Sequence, residues 1–359
     1  MVNPDGLKLT VYLGERDRID GRLVADRLLE LYGVSAVQTS VLLRGAEGFG
    51  LKHHLHTQRL LTLSEDLPLV AVAVDDETRI QSLLPSVQAL IGQRLITLER
   101  VRIWDGRSFD EGAPVAVPGD VKLTMYCGRQ EKVAGVPAYL KVVDALRGNG
   151  VAGATVLLGV DGTLRGLRRR ARFFDRNVDV PLMIMAVGDR AAIGRAFPQI
   201  RLLSVDPFIT LERVLVCKRD GVMLAEPPPF VGSDEFGLRV WHKLSVYAGE
   251  QARHGARPLY LELIHRLQRE GASGATAVRG FWGYHGDHTP HGDVLFSLRR
   301  RVPVITTVID TAENSERWFK LVDELTDETG LVTSEMVPAS RAFGPGYGRG
   351  GNELARRLP

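Results

Sequence analysis

The sequence predicts an α+β protein made of three tandem βαββαβ units that close into an intramolecular pseudo-trimer. Two observations carry this. The opening strands read LKLTVYLGE from Leu7, VKLTMYCGR from Val121 and HKLSVYAGE from His242, and the closing strands read LITLERVRI from Leu95, FITLERVLV from Phe208 and LVTSEMVPA from Leu331. Between them each copy has a glycine-bearing segment, RGAEGFG from Arg44, LGVDGTL from Leu158 and RGFWGYH from Arg279, and then a Pro entering a second apolar run, Pro68, Pro181 and Pro303. The copies recur at roughly 115 to 120 residues, the length of a domain with its linker rather than of a solenoid repeat.

The first copy shows the order of elements most plainly. Leu7 to Leu13 alternates as a strand, and Leu23, Val24, Leu28 and Leu31 share one helical face over Gly21 to Leu31, with Gly33 as the stop. Val37 to Leu43 and Leu67 to Val74 are β-branched and apolar enough for strands, Arg79 to Ile91 reads as a second helix, and Leu95 to Ile103 closes the unit. This is the ferredoxin-like split motif, with both helices on one face of an antiparallel sheet. The other face must be covered, and tethered neighbours would cover it.

The division that follows is domain 1 over residues 1–104, a linker over 105–120, domain 2 over 121–218, a Pro-rich linker over 219–239, domain 3 over 240–341 and a disordered Gly/Arg-rich tail over 342–359. Pro227, Pro228 and Pro229 keep the second linker extended.

Composition excludes several classes. The chain has 359 residues, 44% of them hydrophobic and 25% charged, enough to bury real cores. A net charge of +3, with both signs spread along the chain, does not point to nucleic acid. No apolar run approaches the roughly 20 residues of a membrane span, and MVNPDG has no signal-peptide pattern, so a cytoplasmic protein is expected. Cys127 and Cys217 form neither a metal box nor a secreted disulfide framework and read as buried thiols.

The opening-strand lysines Lys8, Lys122 and Lys243, the passages GVAGATVLLGV and GASGATAVRGF, the loop after them and the strand-entry Pro together resemble the PII-like superfamily. More narrowly, GFGLKHHLHTQRLLTLSEDLPLVAVAVD resembles the uncharacterised bacterial PII-like domain family often encoded beside fluoride exporters. The resemblance implies a sensor rather than a catalyst, one that binds a nucleotide or other small anionic ligand in inter-domain clefts and acts on a partner, such as a membrane transporter, through long loops. On that basis the cofactor stays open, an adenine nucleotide being one candidate and a metal a less favoured one, and the fused chain would be a monomer. The ligand-binding positions would be Gly45, Gly48, Phe49, Gly50, Gly159, Gly162, Gly280 and Gly283, where glycine lets backbone N–H groups approach a phosphate. A bend or bulge before a loop needs the same glycines. Only the first copy keeps Gly48-Phe49-Gly50, Leu51 and Lys52 follow it where PII proteins have Arg and Gln, and the glycine-rich turn before the last strand is missing from all three copies. ATP and 2-oxoglutarate sensing of the PII kind is therefore not expected.

The loops are where the copies differ. The middle one carries Arg165, Arg168, Arg169, Arg170, Arg172 and Arg176 against Asp175, a cluster able to clamp a phosphate or an acidic partner, or simply a solvated charge run. A second reading is a zinc- or copper-binding stress protein using His285, His288 and His291, with Asp287 and Asp293 nearby and His53, His54 and His56 in the first loop. The spacing matches no fixed metal box. A third reading is an enzyme of unknown reaction. Glu99, Glu212 and Glu335 recur in the closing strand with Thr97, Thr210 and Thr333, but there is no nucleophile elbow, Walker loop or dinucleotide fingerprint, and residues repeated in every copy fit a shared structural role better.

Overall fold

The structure is a computed structural model and describes residues 5–50, 55–57, 67–92, 94–104, 119–170, 180–203, 207–285, 291–292, 302–344, 347–351 and 353–355. In the first copy, strand Asp5–Gly14 lies between Pro68–Asp76 and Leu95–Ile103, and Thr39–Phe49 pairs with the outer edge of Pro68–Asp76, all antiparallel. Helices Val24–Val34 and Glu77–Ile91 pack on this sheet, burying Leu28, Leu29 and Tyr32 from one and Ile80, Leu84 and Val87 from the other. That spacing is the 3.6-residue period of an amphipathic helix. Asp76 caps the second helix, its carboxylate accepting from the Arg79 N–H. The later copies repeat the pattern with helices Ala138–Gly148 and Arg190–Ile200, then Leu259–Arg269 and Ala312–Leu325.

The sheets do not stop at the copy boundaries. Thr39–Phe49, Pro68–Asp76, Asp5–Gly14, Leu95–Ile103, Phe208–Arg219, Leu331–Val337, Trp241–Gly249, Pro303–Thr311 and Ala275–Arg279 pair in sequence, and the last pairs back onto Thr39–Phe49. This is a closed nine-strand antiparallel barrel. The second copy joins it through Asp120–Gly128, which pairs with Phe208–Arg219, and through Gly153–Leu158, which pairs with Trp282–His285 of the third copy.

The expected fold class is corrected accordingly. The chain is mostly strand, 48%, with 6 helices among the described residues, rather than three separate α+β ferredoxin-like domains forming an intramolecular pseudo-trimer. The reason is backbone satisfaction at the edges. An isolated four-stranded unit leaves two rows of N–H and C=O groups unpaired, and closure across copies removes those edges.

Packing follows the same division of labour. Three apolar clusters each bury the helices of one copy against its sheet, yet each borrows a residue from another copy: Ala339 in the first, Tyr284 in the second, Ala46 and Phe49 in the third. A fourth cluster contains Val72 and Leu43 of the first copy, Met183 and Leu157 of the second, and Tyr247 and Ile305 of the third. It covers the helix-free face of all three.

Of the segments read as connections, residues 105–118 lie outside the described residues. In the 219–239 stretch, Arg219 and Val222 close a short hairpin, and Ser233 bridges to Arg239. Within 342–359, Tyr347–Gly350 forms a hairpin with Ala339–Gly344, which itself pairs with Leu95–Ile103.

Candidate functional site: a ring of lysines and glutamates shared by three copies

The opening and closing strands of each copy place one Lys directly opposite one Glu: Lys8 faces Glu99, Lys122 faces Glu212 and Lys243 faces Glu335. These cross-strand pairs stand 3.1, 3.2 and 3.1 Å apart. Each ammonium also donates a shorter hydrogen bond to the next copy, Lys8 to Glu212, Lys122 to Glu335 and Lys243 to Glu99. The six groups therefore alternate around a closed ring in which every ammonium bridges two carboxylates from different copies. All six side chains are at most 7% exposed.

Electrostatics lock the charges in place. Burial by itself would lower the pKa of the Lys8, Lys122 and Lys243 ammonium groups, but the adjacent carboxylates outweigh it and each is raised. Burial would raise Glu99 and Glu335, and the surrounding lysines pull both below the usual carboxylate range instead. Three ammonium groups thus stand against three carboxylates, and that pairing offsets the cost of burying them.

Strand alternation stacks a second tier on the ring two residues along. Thr10 faces Thr97, Thr124 faces Thr210 and Ser245 faces Thr333. The third tier is Tyr12, Tyr126 and Tyr247. Burial raises the pKa of all three phenols, that of Tyr247 to about 12, so they remain neutral donors.

The ring divides two spaces of opposite character. One is lined by Lys8, Lys122 and Lys243 together with Thr10, Ser245, Tyr12 and Tyr247, and its walls are apolar: Val70, Val72, Leu157, Met183 and Ile305 among them. Glu99 and Glu335 also border it. The other is lined by all three glutamates with Arg100, Arg213, Val240, Met336 and Pro338, and no lysine among the described residues reaches it. All three ammonium groups thus line the first space and none the second, where all three carboxylates meet.

The residues expected to bind ligand lie elsewhere. Gly45 and Gly48 face the Pro68 ring and the backbone of Ala277 and Ala275 in the third copy. Gly159 and Gly162 face Pro181 and first-copy residues Val41 and Ser40, while Gly280 and Gly283 face Pro303 and second-copy residues Thr155 and Ala154. In each case the room left by the missing side chain is filled by a crossing strand of another copy. Phe49 is buried in the core of the third copy, and Gly50 is exposed with open space before it.

The arginine cluster separates. The hairpin Asp161–Leu164 and Leu167–Arg170 carries Arg165 and Arg169 outward, but Arg168 folds back to make a two-pronged contact with the buried Asp161 at 2.6 and 3.2 Å. Arg170 ends that hairpin, and Arg172 lies outside the described residues. For the metal reading, His285 is buried at the end of a strand paired with Gly153–Leu158, His291 begins the short strand His291–Gly292, and His288 lies outside the described residues. Among the described residues, the metal-type ligands that converge are Glu99, Glu212 and Glu335, with no His among them.

The recurrence of Lys in the opening strand and of Glu in the closing strand was visible in the sequence. Their union in one ring was not, because the shorter bond of each pair runs between copies.

Comparison with known proteins adds the family. The profile of DUF190, described as "Uncharacterized ACR, COG1993", matches residues 6–103, 120–216 and 241–339. A UPF0166 protein of Aquifex aeolicus is 30% identical over 94 residues, covering 26% of this chain and 88% of that one. A UPF0166 protein of Methanocaldococcus jannaschii is 32% identical over 89 residues, covering 25% of this chain and 82% of the relative. Each relative is thus about one copy long. The resemblance read from the sequence is upheld: the chain belongs to the DUF190 family, in three tandem copies.

Proposed function

We propose that the chain is a non-catalytic regulatory protein that takes a small organic anion into the lysine-facing space and acts on a protein partner. The observation that carries the reading is the composition of that space: three ammonium groups and a tier of hydroxyls at its base, with aliphatic walls contributed by every copy. A charged head would meet preorganised donors, and an apolar body would meet Val72, Leu157 and Ile305. Because the walls come from three copies, occupancy would change how the copies pack, which is the differential contact that a sensor needs. The outward-facing Arg165 and Arg169 give such a protein a basic surface for an acidic partner, for example the cytoplasmic face of a transporter.

Thermal-shift measurements against adenine and guanine nucleotides and a series of monocarboxylates test the first half. A ligand that binds only the folded state raises the melting temperature saturably. Met185 borders the same space and is only half-buried, so Met185→Trp fills it with little damage to the core. Loss of the response in that variant is the expected result. A response of equal affinity in the variant places the ligand elsewhere and overturns the reading.

A further inference from the structure

We propose that the carboxylate-lined space on the opposite side of the ring is a second site, built for a zwitterionic amino acid with an apolar body. Its base is formed by Glu99, Glu212 and Glu335, one from each copy, with one oxygen of each within 4.8 Å of the others. The lysines engage Oε2 of all three. Oε1 of Glu212 and Oε1 of Glu335 are buried and have no hydrogen-bond partner. An unmet anionic oxygen in a dry interior is costly, and a donor arriving from the cavity removes that cost.

Distance and charge select the donor. A point equidistant from three oxygens no farther apart than that lies at most about 2.8 Å from each in their plane, within reach of a charge-assisted N–H···O bond. A primary ammonium also offers three N–H groups to the three carboxylates around it.

The rim supplies the complementary half. Arg100 and Arg213 follow Glu99 and Glu212 in their strands, and the equivalent position in the third copy is Met336, beside Val240 and Pro338. A guanidinium at the rim can hold a carboxylate, and Val240, Met336 and Pro338 can hold a hydrocarbon body. The Arg100 guanidinium is half-buried and held by the carbonyls of Leu354 and Ala355, while Arg213 is exposed. The asymmetry gives the bound molecule one orientation.

Calorimetric titration and thermal shift with L-leucine and 6-aminohexanoate test the proposal. The controls are 4-methylpentanoate and 3-methylbutylamine, which lack one charged group each, and calcium, magnesium and zinc chlorides. At least one amino acid is expected to bind saturably, with at least tenfold loss for each control that lacks a charge and in Arg213→Ala, an exposed substitution that leaves the ring intact. Met185→Trp on the other side of the ring should leave this binding unchanged, which separates failure here from failure of the anion site. No response to either amino acid, an equal response to the amine, or a response to a metal alone overturns it.

Discussion

Lys122 of the second copy lies opposite Glu212 of its own sheet and also donates to Glu335 of the third copy. No copy can therefore satisfy its own lysine and glutamate fully. Removing one carboxylate leaves two ammonium groups short of a partner in the interior. Glu212→Ala is expected to cost about 3–5 kcal/mol, the usual penalty for breaking a buried ion pair from one side. Urea unfolding of the variant measures it, and a loss below about 1 kcal/mol would mean that the ring is not a determinant of stability.

The ring also sets the pH dependence. Glu99 and Glu335 are held below the ordinary carboxylate value of 4.5, so their contribution is complete above that value and is lost as pH falls through the depressed range. Lys8, Lys122 and Lys243 are raised above 10.5, so theirs is complete below that value and is lost as pH climbs through the raised range. Melting temperature should be flat between these limits as far as the ring is concerned and fall outside both. In Lys122→Met/Glu335→Leu, which removes one pair together, the acid and alkaline slopes should both be shallower.

Glycines at the copy boundaries divide into two kinds. A Cβ at Gly162 would lie 2.1 Å from the Ser40 carbonyl oxygen of the first copy, a contact that only movement of the strand pair can relieve. Gly50, in the same family of motifs, has nothing within 4 Å. Gly162→Ala should lower stability by about 1–3 kcal/mol or more, as overpacking does, and Gly50→Ala should stay within about 0.5 kcal/mol. Equal effects would show that the glycines do not act through strand crossing.

The two thiols are predicted to be inert. Cys127 and Cys217 are buried, and burial pushes the Cys217 thiol up to about 12. Since the thiolate is the reactive form, a disulfide reagent at neutral pH should modify neither in the native protein and both after unfolding.

Much of this was legible in the sequence. The triplication, the element spans and the recurrence of Lys8 with Glu99 all follow from local pattern, because period 2 and period 3.6 are properties of neighbouring residues. What escaped was every feature that depends on partners far along the chain. Val37 to Leu43 reads as an ordinary strand, but nothing in its residues says that the strand runs on as Thr39–Phe49 or that its free edge is taken by Ala275–Arg279 and Asp161–Leu164. For the same reason nothing around Gly162 says that a strand of another copy runs past it, with the Ser40 carbonyl close to where a Cβ would lie. Arg168 looked like its neighbours until the fold set it against the buried Asp161.

Hydrogen–deuterium exchange of Glu335→Gln, resolved by peptide, tests most directly whether the ring joins the three copies into one cooperative structure. Glu335 belongs to the third copy, accepts from Lys122 of the second, and is linked through Lys243 to Glu99 of the first. Faster exchange in the strands of all three copies is the predicted result. Faster exchange confined to residues 241–339 would contradict it and leave three independent units.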